Sequence, residues 1–207
     1  MNNAPIRSAT LEYISVSGDR EVDKVTRGYD LICIVNGSCR YEDSHGEHEA
    51  LRHSIHILTP GSRITEYRVG SSGIFEQVLI SIESDALFGR VDSLNREEER
   101  FEEAILRGLA GNISIEELAA MCCHSVSTFK RRFRERYGIS PHRWLLACRL
   151  DIAERILSET RLPTNIIATL AGFINVSHFI ATYRRRFGYT PSHTLRQRHG
   201  RKLADNQ

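Results

Sequence analysis

Two stretches of the sequence set hydroxyl and cationic side chains at helical spacing. Residues 125–141 read SVSTFKRRFRERYGISP and residues 175–191 read NVSHFIATYRRRFGYTP. At an offset of 50, Val126/Val176, Ser127/Ser177, Phe129/Phe179, Arg134/Arg184, Arg136/Arg186, Gly138/Gly188 and Pro141/Pro191 are identical, and Phe133/Tyr183, Tyr137/Phe187 and Ser140/Thr190 are near matches. Self-similarity of this kind is one supersecondary unit built twice. Aromatic residues at i, i+4 and i+8 form one stripe in each copy: Phe129, Phe133 and Tyr137, then Phe179, Tyr183 and Phe187. The opposite face carries Ser127, Thr128, Lys130, Arg131 and Arg134 in the first copy, and Ser177, His178, Ile180, Ala181, Arg184 and Arg185 in the second. Ser125 and Asn175 stand at the entry of each stretch. Hydroxyl, imidazole and guanidinium groups on one helix face suit base edges and phosphate oxygens, so the chemistry on offer is recognition of a polyanion.

The elements that must position these groups are a short helix, a tight turn and a longer helix, twice. Ser114 with Glu117 three residues on has capping-box spacing, and Ile115, Leu118 and Ala119 follow as an apolar face. A turn around Cys122–Ser125 leads into a helix over Val126–Tyr137. The second copy runs Thr164–Leu170, turns at Ala171-Gly172-Phe173, and continues as a helix over Val176–Phe187. A short helix packed on a longer one with a basic, hydroxyl-rich outer face is the arrangement that enters a DNA major groove. A helix from His142 to Ser158 joins the copies; at ~1.5 Å per residue it is ~25 Å long. With the helices at either end, that length sets two recognition helices about one DNA turn apart, near 34 Å. Trp144 and Cys148 on this joining helix are expected in the core.

Charge is divided between the halves. Residues 1–95 hold 9 Lys+Arg against 14 Asp+Glu, and residues 96–207 hold 19 against 12, within a net charge of +2. No acidic side chain lies between Glu159 and Asp205, a stretch that includes Arg161, Arg184, Arg185, Arg186, Arg196, Arg198, Arg201 and Lys202. A basic half on an acidic partner is expected where one domain meets a polyanion and the other does not. Composition, at 41% hydrophobic and 26% charged, supports a packed core and excludes a disordered chain. The five cysteines (Cys33, Cys39, Cys122, Cys123, Cys148) form no CxxC pair, which argues against a disulfide scaffold or zinc ribbon. No apolar run is long enough to span a bilayer, and residues 1–5 do not begin a signal peptide. A cytoplasmic protein is expected.

The first half reads as β. Tyr29–Val35 is a β-branched run, Asn36-Gly37 a turn, and Ser38–Tyr41 its returning strand. Ser44-His45-Gly46 is a second turn. Ser54–Leu58, Arg63–Val69 and Ile74–Ile82 complete the set, which suggests a small sandwich or barrel. Near residue 93 the period changes, and Ser93 is placed to cap a helix through Leu109 with Leu94, Phe101, Ile105 and Leu109 on one face. His45, His48, His53 and His56 raise a metal-dependent enzyme as a rival, but the His-x-His with a trailing Glu is absent. No nucleophile–base pair or GxxxxGK loop is evident. No catalytic residue, metal site or cofactor is expected.

At the repeated residues the chain resembles the AraC/XylS family of bacterial transcription regulators. The first copy shows Leu118-Ala119, Ser125, Phe129, Arg131 and Phe133, then Gly138, Ser140 and Pro141. Arg149, Leu150, Ala153, Ile156 and Leu157 match the family's linking helix. The second copy shows Ile167-Ala168, Gly172-Phe173, Ser177-His178-Phe179, Arg184–Gly188 and Thr190-Pro191. The resemblance covers about residues 112–198. It implies an α+β protein: an N-terminal small β-barrel, cupin-like domain, which HILTPG (His56–Gly61) also resembles, and an all-α C-terminal domain with two helix-turn-helix units. The expected division is 1–92 for effector binding or dimerisation, 93–110 for a connector helix, 111–200 for DNA binding, with helix-turn-helix units at about 115–137 and 164–187, and 201–207 for a polar tail.

The resemblance implies a sequence-specific activator with promoter DNA and RNA polymerase as partners. A small effector or a protein such as a chaperone or anti-activator regulates it, and a homodimer is open. The DNA-binding residues it implies are Ser125, Ser127, Thr128, Lys130, Arg131, Arg134, Asn175, Ser177, His178, Ile180, Arg184 and Arg185. Ala181 departs from the family's usual arginine, and Ile180 and Ile166 from commonly polar positions. Base discrimination is therefore expected to lean on the first copy, with Arg184 and Arg185 gripping backbone and Ile180 able to meet a thymine methyl. The rival is a small-molecule- or metal-binding cupin-like protein with an incidental basic helical tail.

Overall fold

A computed structural model of the chain describes residues 9–82, 96–110 and 113–196. Eight strands precede the helices: β1 (Thr10–Ser17), β2 (Arg20–Val25), β3 (Tyr29–Asn36), β4 (Ser38–Asp43), β5 (Gly46–Ala50), β6 (Ile55–Leu58), β7 (Arg63–Arg68) and β8 (Ile74–Ile82). They form two antiparallel four-stranded sheets, in the orders β1-β8-β3-β6 and β2-β7-β4-β5. The α+β class is as expected, but no barrel closes among the described residues. The two sheets instead share a core of Ile32, Ile34, Cys39, Tyr41, Leu58, Ile64, Tyr67, Phe75 and Leu79. Tyr67 stacks on Phe75 with ring centroids 4.5 Å apart, filling the space between the sheets.

The Asn36-Gly37 turn does not make the hairpin its sequence suggests. β4 pairs with β5 and β7 and leaves β3 to pair with β6 and β8, so the chain crosses from one sheet to the other at this corner. The cause is local. Asn36 Nδ2 donates to Ser72 Oγ at 2.6 Å and to the Ile74 carbonyl at 2.7 Å, tying the corner to the β7–β8 turn. Gly37 has φ +81, and a Cβ there would lie 2.1 Å from the Arg68 carbonyl oxygen, so only glycine fits. β3, like β8, has two buried faces. Ile32 and Ile34 point into the sandwich, while Leu31, Cys33 and Val35 join the core beneath the helices. A near-continuous apolar run is what two-sided burial demands.

Among the described residues the helices that follow are α1 (Arg96–Ala110), α2 (Ile115–Met121), α3 (Val126–Tyr137), α4 (Pro141–Glu159), α5 (Thr164–Leu170) and α6 (Val176–Phe187). Residues 191–196 are helical as well. The expected cap Ser93 and the expected face residue Leu94 lie outside the described residues. Phe101, Ala104, Ile105, Leu106 and Leu109 bury α1 in one core with Val78 and Ile80 of the first sheet and Phe129, Phe133 and Leu145 of the helices. Arg149 Nη2 donates to the Gly108 carbonyl at 2.8 Å, fastening α4 to the end of α1. Trp144 and Cys148 are buried, as expected.

Candidate nucleic-acid interface

Local chemistry fixes where each recognition helix begins. Ser114 Oγ accepts the Glu117 N–H at 3.1 Å and Glu117 Oε2 accepts the Ser114 N–H at 2.8 Å, the reciprocal box that starts α2. These bonds hold the Glu117 carboxyl below its ordinary range. Ser125 opens α3 by accepting the Thr128 N–H at 3.2 Å. Asn175 opens α6 by accepting the His178 N–H at 3.0 Å through Oδ1. Both recognition helices end at a left-handed glycine, Gly138 with φ +75 and Gly188 with φ +85, which explains their identity across the repeat.

The aromatic stripes turn inward. Phe129 and Phe179 are fully buried, with Phe133 and Tyr183 beside them. Phe133 meets Trp144 of α4 edge-on at 5.7 Å, and Phe173 meets Phe179 at 5.1 Å. One turn of each helix away from this stripe, a repeated arginine points back to the preceding long helix. Arg136 Nη2 lies 3.2 Å from Glu102 Oε1 of α1. Arg186 sets Nε and Nη2 at 3.0 and 2.6 Å from Asp151 Oδ1 of α4. Arg132 is likewise engaged, by Glu97 and by His124 Nε2. The hydrogen bond from Arg132 and its charge, with help from His124, hold the Glu97 carboxyl below its ordinary range.

The remaining polar residues face outward. Ser125, Ser127, Lys130, Arg131 and Arg134 are exposed on the first unit, with Thr128 half-buried. Asn175, Ser177, His178, Ile180, Arg184 and Arg185 are exposed on the second. Ser125 Oγ lies 2.9 Å from both Ser127 Oγ and Thr128 Oγ1, so these three hydroxyls form one cluster at the entry of α3. Among the described residues, no ion-pair partner holds Lys130, Arg131, Arg134, Arg184 or Arg185. The linking helix α4 has 19 residues, hence ~28 Å of rigid spacer. Sequence reasoning did not single out Ile174, which precedes Asn175 and is 89% exposed. An isoleucine directly before the helix cap, where the first copy has His124, was the available signal.

Of the rival histidines, His48 stacks on Tyr41 at 5.0 Å and His56 meets the same ring edge-on at 5.7 Å. His48 Nε2 lies 2.8 Å from Asp43 Oδ1, and His56 Nδ1 lies 3.0 Å from the Tyr41 hydroxyl. Among the described residues, no group of three or more His, Cys, Asp or Glu side chains is placed to hold a metal ion. No helix among them is long and apolar enough to cross a membrane.

Residues 118–197 match a family described as a helix-turn-helix domain. The probable transcriptional regulator LumQ of Photobacterium leiognathi is 34% identical over 84 residues, covering 41% of this chain and 34% of that protein. The virulence regulon transcriptional activator VirF of Yersinia enterocolitica is 36% identical over 98 residues, 47% of this chain and 36% of the relative. The match thus spans about a third of the length of these relatives. A solved structure of the DNA-binding domain of AdpA, in complex with a target DNA, aligns at 27% identity and a TM-score of 0.48, covering 53% of this chain and 98% of that one. Both relatives are named as regulators of transcription. Over residues 118–197 this chain matches a helix-turn-helix domain, and there it is similar to these regulators of transcription.

Proposed function

We propose that the chain is a sequence-specific activator that reads two successive major grooves of promoter DNA with α3 and α6. One observation carries this reading: both recognition helices bury the same aromatic stripe and turn the same hydroxyl and cationic face to solvent. In this reading Ser127, Thr128, Lys130 and Arg131 meet base edges on the first unit. Ser177, His178 and Ile180 do so on the second. Arg134, Arg184 and Arg185 take phosphates, while Ser125 and Asn175 fix the helix entries that point these groups at the groove.

The activating role is supported by the name of the Yersinia relative, a transcriptional activator, and brings RNA polymerase as a partner. Action at a promoter places the chain in the cytoplasm. The proposed division at 1–92, 93–110, 111–200 and 201–207 is supported by the change from strand to helix between β8 and α1. A small effector or protein partner acts through the β unit. A cleft of about 770 Å³ between β4–β6 and α1, lined by Tyr41, His48, His56, Leu106 and Arg107, is a place for it that touches both halves. A homodimer forms through the β unit, since α1 spends its apolar face on the shared core.

Titration of a promoter-derived duplex pool with the full chain, at 50 and 200 mM salt, tests the reading. With the three arginine–phosphate contacts assigned above, affinity should fall about fortyfold. Weak binding that ignores salt would leave the basic face incidental and favour the cupin-like rival.

A further inference from the structure

The outer faces of the two recognition helices differ in kind. Where α3 has Lys130 and Arg131, α6 has Ile180 and Ala181 at the same offset. One position before each helix cap the contrast recurs. His124 of the first unit is folded back, its Nε2 3.1 Å from Glu97 Oε1 and 2.9 Å from Arg132 Nη1. Its counterpart Ile174 stands 89% exposed, the most exposed of the large hydrophobic side chains among the described residues. Ile180 is 36% exposed and Ala181 is exposed as well.

Polar readers are scarce at the same place. Asn175 commits its Oδ1 to the His178 N–H, so it cannot present the donor–acceptor pair that identifies adenine. The first two turns of α6 hold Ser177 and His178 but no Arg, Lys or Gln to pair with guanine or adenine. They offer apolar groups on a face otherwise fitted to DNA. Thymine is the base whose major-groove edge carries an apolar group, the C5 methyl.

We propose that Ile174, together with Ile180 and Ala181, reads thymine methyl groups in the groove entered by α6. The second half-site is then thymine-rich, and the first is set by Lys130 and Arg131. This rests on the DNA-binding reading above and gives the second unit a discriminating role beyond its grip on phosphates. The patch is interrupted by Ser177, His178 and Arg184 and is continuous with the reading face, which favours DNA over a protein partner as its occupant.

The test begins with the full chain and a randomised duplex library, from which the bound site is selected. Arg131→Ala identifies the half-site under α3. Each thymine under α6 is then replaced by deoxyuridine, which removes the methyl and keeps the hydrogen-bonding groups. Replacement should weaken binding about three- to fourfold per methyl contacted. In an Ile174→Ser/Ile180→Ser variant, thymine and uracil duplexes should bind alike, while the preference at the α3 half-site persists and reports an intact fold. Equal affinity of the parent chain for thymine and uracil duplexes overturns this inference alone. So does a variant that keeps the parent's thymine preference but loses activation with RNA polymerase, which would assign the patch to a protein. Recovery of no duplex at all overturns the DNA-binding reading, and this inference with it.

Discussion

Arginine does two jobs in the repeated units, and helix phase separates them. Arg134 and Arg136 lie two residues apart, about 200° around the helix, as do Arg184 and Arg186. The first of each pair faces solvent; the second reaches a carboxylate on the preceding long helix. That division was legible from the aromatic stripe. The partners Glu102 and Asp151 were not, because each lies more than 30 residues away in sequence and meets its arginine only after the helices pack. Glu102 is almost fully buried, so Glu102→Ala should lower stability by about 1–3 kcal/mol in thermal or denaturant unfolding. Arg134→Ala should stay within about 0.5 kcal/mol of the parent. In DNA titrations the outward pair should separate by role. Arg131→Ala should alter which sequences are preferred, whereas Arg184→Ala should weaken all sequences alike and reduce the salt slope by about one. The reverse pattern would exchange the roles of the two helices.

At the scale of elements, α1 and α4 do equivalent work. Each is a long helix that precedes a helix-turn-helix pair and supplies the carboxylate for its recognition helix. Phe129 of α3 packs on Phe101 of α1 at 5.4 Å, so truncating the stripe should be costly: Phe129→Ala or Phe179→Ala should each lose about 3–5 kcal/mol. Equilibrium unfolding measures this, and a loss under 1 kcal/mol would place the stripe at the surface. The Glu97–Arg132–His124 cluster gives a pH signature. Its carboxyl is held below the ordinary range in the folded state, so its contribution is present above that range and fades as pH falls through the lowered value. The stability difference between the parent and Glu97→Gln should therefore narrow on acidification, as read from unfolding midpoints across pH 6 to about 3.

The helices α3 and α6 were readable to their ends because caps, aromatic spacing and terminal glycines agree. The β unit was harder to read. β1, β2 and β5 are edge strands rich in polar residues, and their pairing depends on neighbours distant in sequence. The Asn36-Gly37 corner carries a hairpin signal, yet side-chain bonds to the β7–β8 turn send it to the other sheet.

Over the whole molecule, one hydrophobic core runs from the outer face of the first sheet through α1 to both recognition helices. The β unit is therefore packed on the reading apparatus rather than tethered to it. The spacing of α3 and α6 is set by the 19-residue α4, with its apolar side locked by Trp144, Cys148, Ile152 and Ile156. The duplicated outer face could be read from sequence; the shared core could not, since it depends on which face of β3 the helices cover. Rigidity of this kind makes the account testable by geometry. Inserting five base pairs between the two half-sites of a selected duplex turns the second groove to the opposite side of the helix. This insertion should reduce affinity nearly to that of a single half-site. Binding that survives the insertion unchanged would contradict a pair of readers held at fixed separation.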